Sequence, residues 1–164
     1  MKKIVSLLVI ALITVFAIGR FNLGESGAMK FMAKMEALMN DGKADEICEM
    51  FADDLEIDII DHSGDVTHRL NGGKKEMCDV TRQAIAGFEL FPHSMEVNYS
   101  QVTASQSLLS PWRSNVTYAE HRRLTVPGAM TLRTVSNDQI TLIQTLSGVK
   151  LRSVKSELFK EDAT

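Results

Sequence analysis

Three groups of residues in this sequence carry side chains that can do chemistry. Asp58, Asp61 and His62, with His68 six positions further on, gather carboxyls and imidazoles in one short stretch. A carboxyl whose pKa is raised by burial can act as a general base, and an imidazole beside it can assist. The plainer reading makes Asp58 a solvated strand residue and Asp61 a turn former. The second group is His121, Arg123 and Arg133, which together could hold an anion. Trp112 and Tyr118 make up the third, with rings able to line a pocket. Other chemistries lack support. Ser107 and Ser110 have no nucleophile-elbow context. Asp61, His62 and His68 match no strong ligand spacing, and Cys48 and Cys78 form no CxxC pair, so neither a metal nor a cofactor is expected.

The elements that position these residues follow from periodicity. Ser26 is a candidate cap for a helix over residues 28–39 that gathers Ala28, Phe31, Met32, Met35, Leu38 and Met39 on one face. That methionine stripe reads as core or as an adaptable binding surface. Asn40-Asp41-Gly42 breaks it, and a shorter helix runs from Lys43 or Ala44 to Phe51, with Ala44, Ile47, Cys48 and Phe51 inward. Leu55, Ile57 and Ile59 alternate with Glu56 and Asp58, the period of a half-buried strand. A short strand is expected at 66–70, then a helix from Lys74 to Phe88, ended by Phe91-Pro92.

The remainder reads as strands: 95–105, 113–125, 129–135, 140–146 and 149–158. Pro127-Gly128, Ser136-Asn137-Asp138 and Ser147-Gly148 are the turns between the later ones. In 113–125, Val116, Tyr118, Glu120 and Arg122 share one face and Thr117, Ala119, His121 and Arg123 the other. Both faces carry polar groups, so alternation does not choose the inner one. Helices segregated from an antiparallel sheet make a single α+β domain.

Bulk properties narrow the classes. The 164 residues are 45% hydrophobic with a formal net charge of −3, which fits one globular domain and excludes a basic nucleic-acid footprint. Lys2 and Lys3 precede an apolar run from Ile4 to Ile18 interrupted only by Ser6 and Thr14, the pattern of an export signal. Ala17-Ile18-Gly19 offers a cleavage site. An uncleaved anchor is the other reading, although about 16 helical residues span only ~24 Å of a ~30 Å hydrocarbon core. The expected organisation is a signal peptide or inner-membrane anchor over 1–19, a linker over 20–27 and a domain over 28–160. The domain is then periplasmic, secreted, or held on the outer side of a bacterial inner membrane. In that oxidising space Cys48 and Cys78 either pair or remain buried thiols.

Phe51-Ala-Asp-Asp-Leu-Glu-Ile, followed by Asn71-Gly-Gly-Lys-Lys-Glu-Met, resembles the nuclear-transport-factor-2-like superfamily, also called SnoaL-like or ketosteroid-isomerase-like. The resemblance covers roughly Ala28 to Phe159. It implies a curved antiparallel sheet wrapped around a long helix, a cone with a pocket, and commonly a homodimer formed through the sheet. It also implies a range of functions, from isomerases and dehydratases to pockets without chemistry. Isomerase members place an acid at the end of the first strand. The matching position here is Ile59, flanked by Asp58 and Asp61. The expected function is binding of a small ligand or a protein partner, either itself or an envelope protein, without catalysis. Ligand contacts would come from Trp112, Tyr118, His121 and Arg123. The alternative is an isomerase or dehydratase using Asp58 or Asp61 as base, assisted by His62, His121 or Tyr118. Self-association through an apolar outer sheet face is a third reading.

Overall fold

The computed structural model describes residues 22–90, 93–107, 109–128 and 130–161. The expected export segment over 1–19 and the Phe91-Pro92 helix stop lie outside the described residues. Helix α1 (Glu25–Asn40) leads to the short α2 (Ala44–Glu49), then strands β1 (Phe51–His62) and β2 (His68–Gly72). Helix α3 (Lys74–Leu90) precedes the long strands β3 (Ser94–Ser107), β4 (Ser110–Val126), β5 (Met130–Thr145) and β6 (Gly148–Lys160).

The six strands form one sheet in the order β2-β1-β6-β5-β4-β3. Four of the pairings are antiparallel, but β1 and β6 run parallel, which corrects the expectation of a wholly antiparallel sheet. The intervening chain reverses direction through α3 and the three long strands, so β6 returns alongside β1 in the same sense. Register shifts between Ser100 and Thr103 on β3, and between Thr141 and Leu142 on β5, mark bulges that add curvature. Gln101 takes φ +54° at the first of these.

Several boundaries differ from those the periodicity suggests. Helix α1 begins at Glu25, inside the expected linker, and Ser26 lies in its first turn instead of capping it. The start is fixed by packing: a Cβ on Gly27 would come within 1.9 Å of the Asn22 carbonyl oxygen, so only glycine fits there. Strand β1 begins at Phe51, because Phe51 and Ala52 are buried under the sheet rather than extending α2. Strand β2 starts two residues later than expected.

The largest difference is in β5. It runs unbroken through Ser136, Asn137 and Asp138, where the composition suggests a turn. These residues lie in the middle of the sheet, paired to β4 on one side and β6 on the other. The ladder satisfies their backbone, so their turn preference has no outlet.

The core fills the narrow end of the cone. Phe31, Leu38, Ile47, Phe51, Leu55, Val116, Leu142 and Leu151 are all buried there. Full burial of each aliphatic or aromatic side chain contributes about 1.5–3 kcal/mol. A disulfide joins Cys48 on α2 to Cys78 on α3, with Cα atoms 5.5 Å apart, and clamps the two helices over this core.

Candidate active site within the cone

Alternation along the strands decides which side chains face inward, and register aligns them into rows. Nearest the core, Val116, Ile140, Val154 and Ile57 are cross-strand partners from β4 to β1. The next row is Tyr118, Asp138, Ser156, Ile59 and Leu70. Above it lie Glu120, Ser136, Leu158, Asp61 and His68, and then Arg122 beside Thr134 at the rim. An apolar floor is therefore succeeded by a polar girdle and a charged rim.

The helices do not fill this space. A cavity of about 530 Å³ remains between the sheet and the inner faces of α1 and α3, within the range of small-molecule sites. Phe31, Met32, Met35 and Met39 of α1 and Met77, Val80 and Ala84 of α3 line its helical side. The methionine stripe is both core and wall: Met32 is buried, while Met35 and Met39 are partly buried beside the hollow.

Two carboxyls stand in the girdle. Asp138 and Glu120 are each only 9% exposed. The Ser136 hydroxyl donates to Asp138 Oδ2 at 2.7 Å. Burial pushes the Asp138 carboxyl above its ordinary value, while hydrogen bonding to Ser156 and Ser136 and the charge of Arg122 hold it back. Glu120 is raised by burial, partly offset by the Arg122 guanidinium, whose Nη2 lies 2.5 Å from Glu120 Oε1. The negative charge of Asp138 raises Glu120 further. Tyr118 stays a phenol far above neutrality because it is buried and faces Asp138 and Glu120. Tyr99 packs against it edge to face, with ring centroids 5.6 Å apart.

Of the residues singled out from the sequence for chemistry, Tyr118, Asp61 and His68 reach this cavity. Asp61 lies near the rim, where burial raises its carboxyl but the Ser63 side chain and backbone N–H, the latter donating at 2.8 Å, and the adjacent His68 and His62 lower it overall. Asp58 points to the outer face, where Arg69 donates to both its oxygens at 3.0 and 3.1 Å. His62 stacks on Phe159 with ring centroids 5.1 Å apart and hydrogen-bonds Thr67 across the β1–β2 turn, away from the hollow.

Trp112 is exposed near the start of β4. His121 and Arg123 lie on the outer face, paired with Glu161 and Glu96, each at 3.5 Å. Arg133 is on that face as well. These three side chains do not form a floor for the cavity. The outer face also carries a shallow hollow of about 380 Å³ edged by Gln101, Thr117, Asn137, Gln139 and Lys155. Its rim is polar, not the apolar sheet surface that a self-association reading expects. Among the described residues, no group of three or more His, Cys, Asp or Glu side chains could hold a metal ion.

Glu120, Arg122, Ser136, Asp138 and Ser156 are the polar wall residues that periodicity does not single out. The signal for two of them lies in β5 itself. Thr134, Ser136, Asp138 and Ile140 alternate with Val135, Asn137 and Gln139, a strand pattern concealed by turn-forming residue types.

A conical sheet closed by helices over a pocket is the nuclear-transport-factor-2-like fold, and this chain has it. Solved structures agree over nearly the whole chain. An NTF2-like protein with a cystatin-like fold from Novosphingobium aromaticivorans superposes with a TM-score of 0.61 at 15% identity, covering 93% of this chain and 92% of its own. The β subunit of benzoate 1,2-dioxygenase from Burkholderia mallei gives 0.61 at 10% identity, over 83% of this chain and 89% of its own. A Catenulispora acidiphila protein in complex with S-DNPA gives 0.55 at 12%, over 81% and 91%. At these identities the likeness is one of fold. No protein-family model and no curated protein sequence matches the chain.

Proposed function

We propose that this chain binds a small, largely apolar molecule inside the cone, with Tyr118, Glu120 and Asp138 contacting its polar group. The observation that carries this reading is the hollow itself. A cavity of about 530 Å³ combines a methionine-rich wall with carboxyls buried on the opposite side. Methionines adapt to irregular apolar shapes, and a few convergent polar groups orient what enters. The complex of the Catenulispora structure with S-DNPA is in keeping with a small-molecule site in this fold. The test is titration with a polarity-sensitive dye, comparing the native chain with Met35→Trp, which fills the hollow. Saturable dye binding lost in a folded Met35→Trp variant supports the reading; absence of saturable binding to the native chain overturns it.

A catalytic role for the same pocket is the second reading, and the Asp138–Tyr118 pair favours it. A buried carboxyl with a raised pKa can take a proton from a carbon acid while a neighbouring phenol stabilises the charge that develops. The base is then Asp138 in place of Asp58 or Asp61. Deuterium exchange into a bound ketone, abolished in Asp138→Asn, would support isomerase or dehydratase chemistry; binding without exchange would leave a carrier or sensor.

Export belongs to the same proposal. The Lys2-Lys3 start with its apolar run and the Cys48–Cys78 disulfide fit an oxidising compartment outside the inner membrane. No helix among the described residues is long and apolar enough to cross a membrane. Cell fractionation with mass spectrometry of the mature N-terminus distinguishes a cleaved signal from an anchor. Association with itself or with an envelope partner is compatible with the dioxygenase β subunit being one part of a larger enzyme. Light scattering of the purified chain tests a homodimer.

A further inference from the structure

We infer that the molecule held in this cone is an apolar cation, one carrying a single ammonium group on a hydrocarbon body, in preference to an alcohol or a carboxylate. The inference rests on the pocket reading above and adds the charge of the ligand. The cavity defines the site, and the charges facing it define the class.

The helical side contributes no charged group to the lining: only methionine, aliphatic and aromatic carbon, and the Thr81 hydroxyl, which donates to the Met77 carbonyl at 2.8 Å. The charged groups of the lining all come from the sheet, and Glu36 of α1 adds its negative charge near Glu120. Three carboxyls border the hollow: Asp61, Glu120 and Asp138. Two guanidiniums border it as well, and both are engaged. Arg69 is turned to the outer face by its two hydrogen bonds to Asp58. Arg122 is held by Glu120. That leaves Asp138 held by the Ser136 hydroxyl with no ion pair of its own, while Asp61 accepts from the Ser63 N–H and has the His68 imidazole beside it in the lining. The hollow therefore carries a surplus of negative charge in surroundings where charge is poorly solvated.

The three ligand classes fare differently against this surplus. A carboxylate would have to draw Arg122 away from Glu120, leaving a buried carboxylate unpaired, which is strongly unfavourable. An alcohol can donate to Asp138 but leaves its charge in place. An ammonium donates and neutralises together, adding a charge–charge attraction that is strong where water is excluded. Tyr118 adds an aromatic ring on the same wall, a surface that attracts cations. Burial and mutual repulsion raise the Glu120 carboxyl, and a cation in the girdle relieves that penalty.

The test compares octylamine, 1-octanol and octanoate at neutral pH as competitors of a polarity-sensitive dye bound to the 164-residue chain. Octylamine is expected to compete about tenfold better than 1-octanol because it alone adds a charge–charge attraction, with octanoate weakest. Asp138→Asn should remove the advantage of the amine and leave it no better a competitor than 1-octanol, with circular dichroism and a cooperative thermal melt showing that the variant is folded. Equal or better binding of 1-octanol or octanoate overturns the cationic preference and leaves the pocket reading standing. An amine advantage retained in Asp138→Asn also overturns it as argued here. Failure of the dye itself to bind saturably removes the pocket reading, and this inference with it.

Discussion

Asp138 of β5 stands directly opposite Tyr118 of β4, in register and on the concave side of the sheet. Each makes ionisation of the phenol harder to achieve: Tyr118 is buried, and the charge of Asp138 is the next largest influence on it. The pair links a residue that the sequence offered as a ligand contact to one that its composition had placed in a turn. It also sets the depth at which a polar group would be recognised, one row above the apolar floor.

The raised carboxyls give the protein a directional pH dependence. Asp138 and Glu120 hold their protons more tightly folded than unfolded, because burial penalises their charge. Their contribution to stability is greatest below the ordinary values of 3.8 and 4.5, and is lost as pH rises through the higher folded values. Asp61, whose carboxyl is lowered, works in the opposite sense as pH falls. Asp138→Asn should therefore flatten the decline in melting temperature as pH rises above the ordinary carboxyl value of 3.8, and be the more stable chain at the upper end of the range. Thermal melts across that range check it; an unchanged slope would mean Asp138 is well solvated.

Reduction of the Cys48–Cys78 disulfide should be costly. The bond closes a loop with a sequence separation of 30, for which chain entropy alone gives about 3–4 kcal/mol. Urea unfolding of the oxidised chain and of the Cys48→Ala/Cys78→Ala variant measures this. Both sulfurs are buried, so alanine also loses some packing, and a loss under about 1 kcal/mol would be too small for either effect.

Truncation at the cavity and in the core should differ sharply. Leu142 is fully buried, and Leu142→Ala should cost about 2–5 kcal/mol. Met35 is partly buried beside a hollow that already exists, so Met35→Ala loses fewer contacts and should cost under about 1.5 kcal/mol. Comparable losses at the two sites in denaturant melts would indicate that the cone is packed solid.

Gln101 offers a test of the bulge that bends β3. Its φ of +54° lies in the left-handed region, where a side chain is disfavoured by about 1 kcal/mol. Gln101→Gly should be neutral or stabilising by up to ~1 kcal/mol, and Gln101→Val destabilising by at least as much. A stabilised valine variant would show that the strand is regular there.

Asp58 provides the contrasting case at the surface. Its pairing with Arg69 lies in solvent, with 36% and 57% of the two side chains exposed. Such pairs contribute about 0–1 kcal/mol. Asp58→Ala should leave dye binding unchanged and stability nearly so, whereas a loss of binding would restore Asp58 as a site residue.

Local pattern determined the helices, the outer strands and the α+β class, because each depends on the spacing of apolar residues along a few turns or a single strand. Leu55, Ile57 and Ile59 announce β1, and Met77, Val80, Thr81, Ala84, Ile85 and Phe88 announce α3, without reference to anything distant. The polar wall could not be read in the same way. Ser136, Asn137 and Asp138 favour a turn when isolated, and only the strands on either side, satisfying their backbone, hold them extended. Nor could alternation on β4 choose between Tyr118 with Glu120 and His121 with Arg123, since both faces are polar. That choice was made by the curvature of the sheet and by the helices covering one side of it. Tertiary packing put Glu120 and Asp138 in a poorly solvated hollow and left Asp58, His62 and His121 outside it, because burial is a property of the assembled layers and not of any segment.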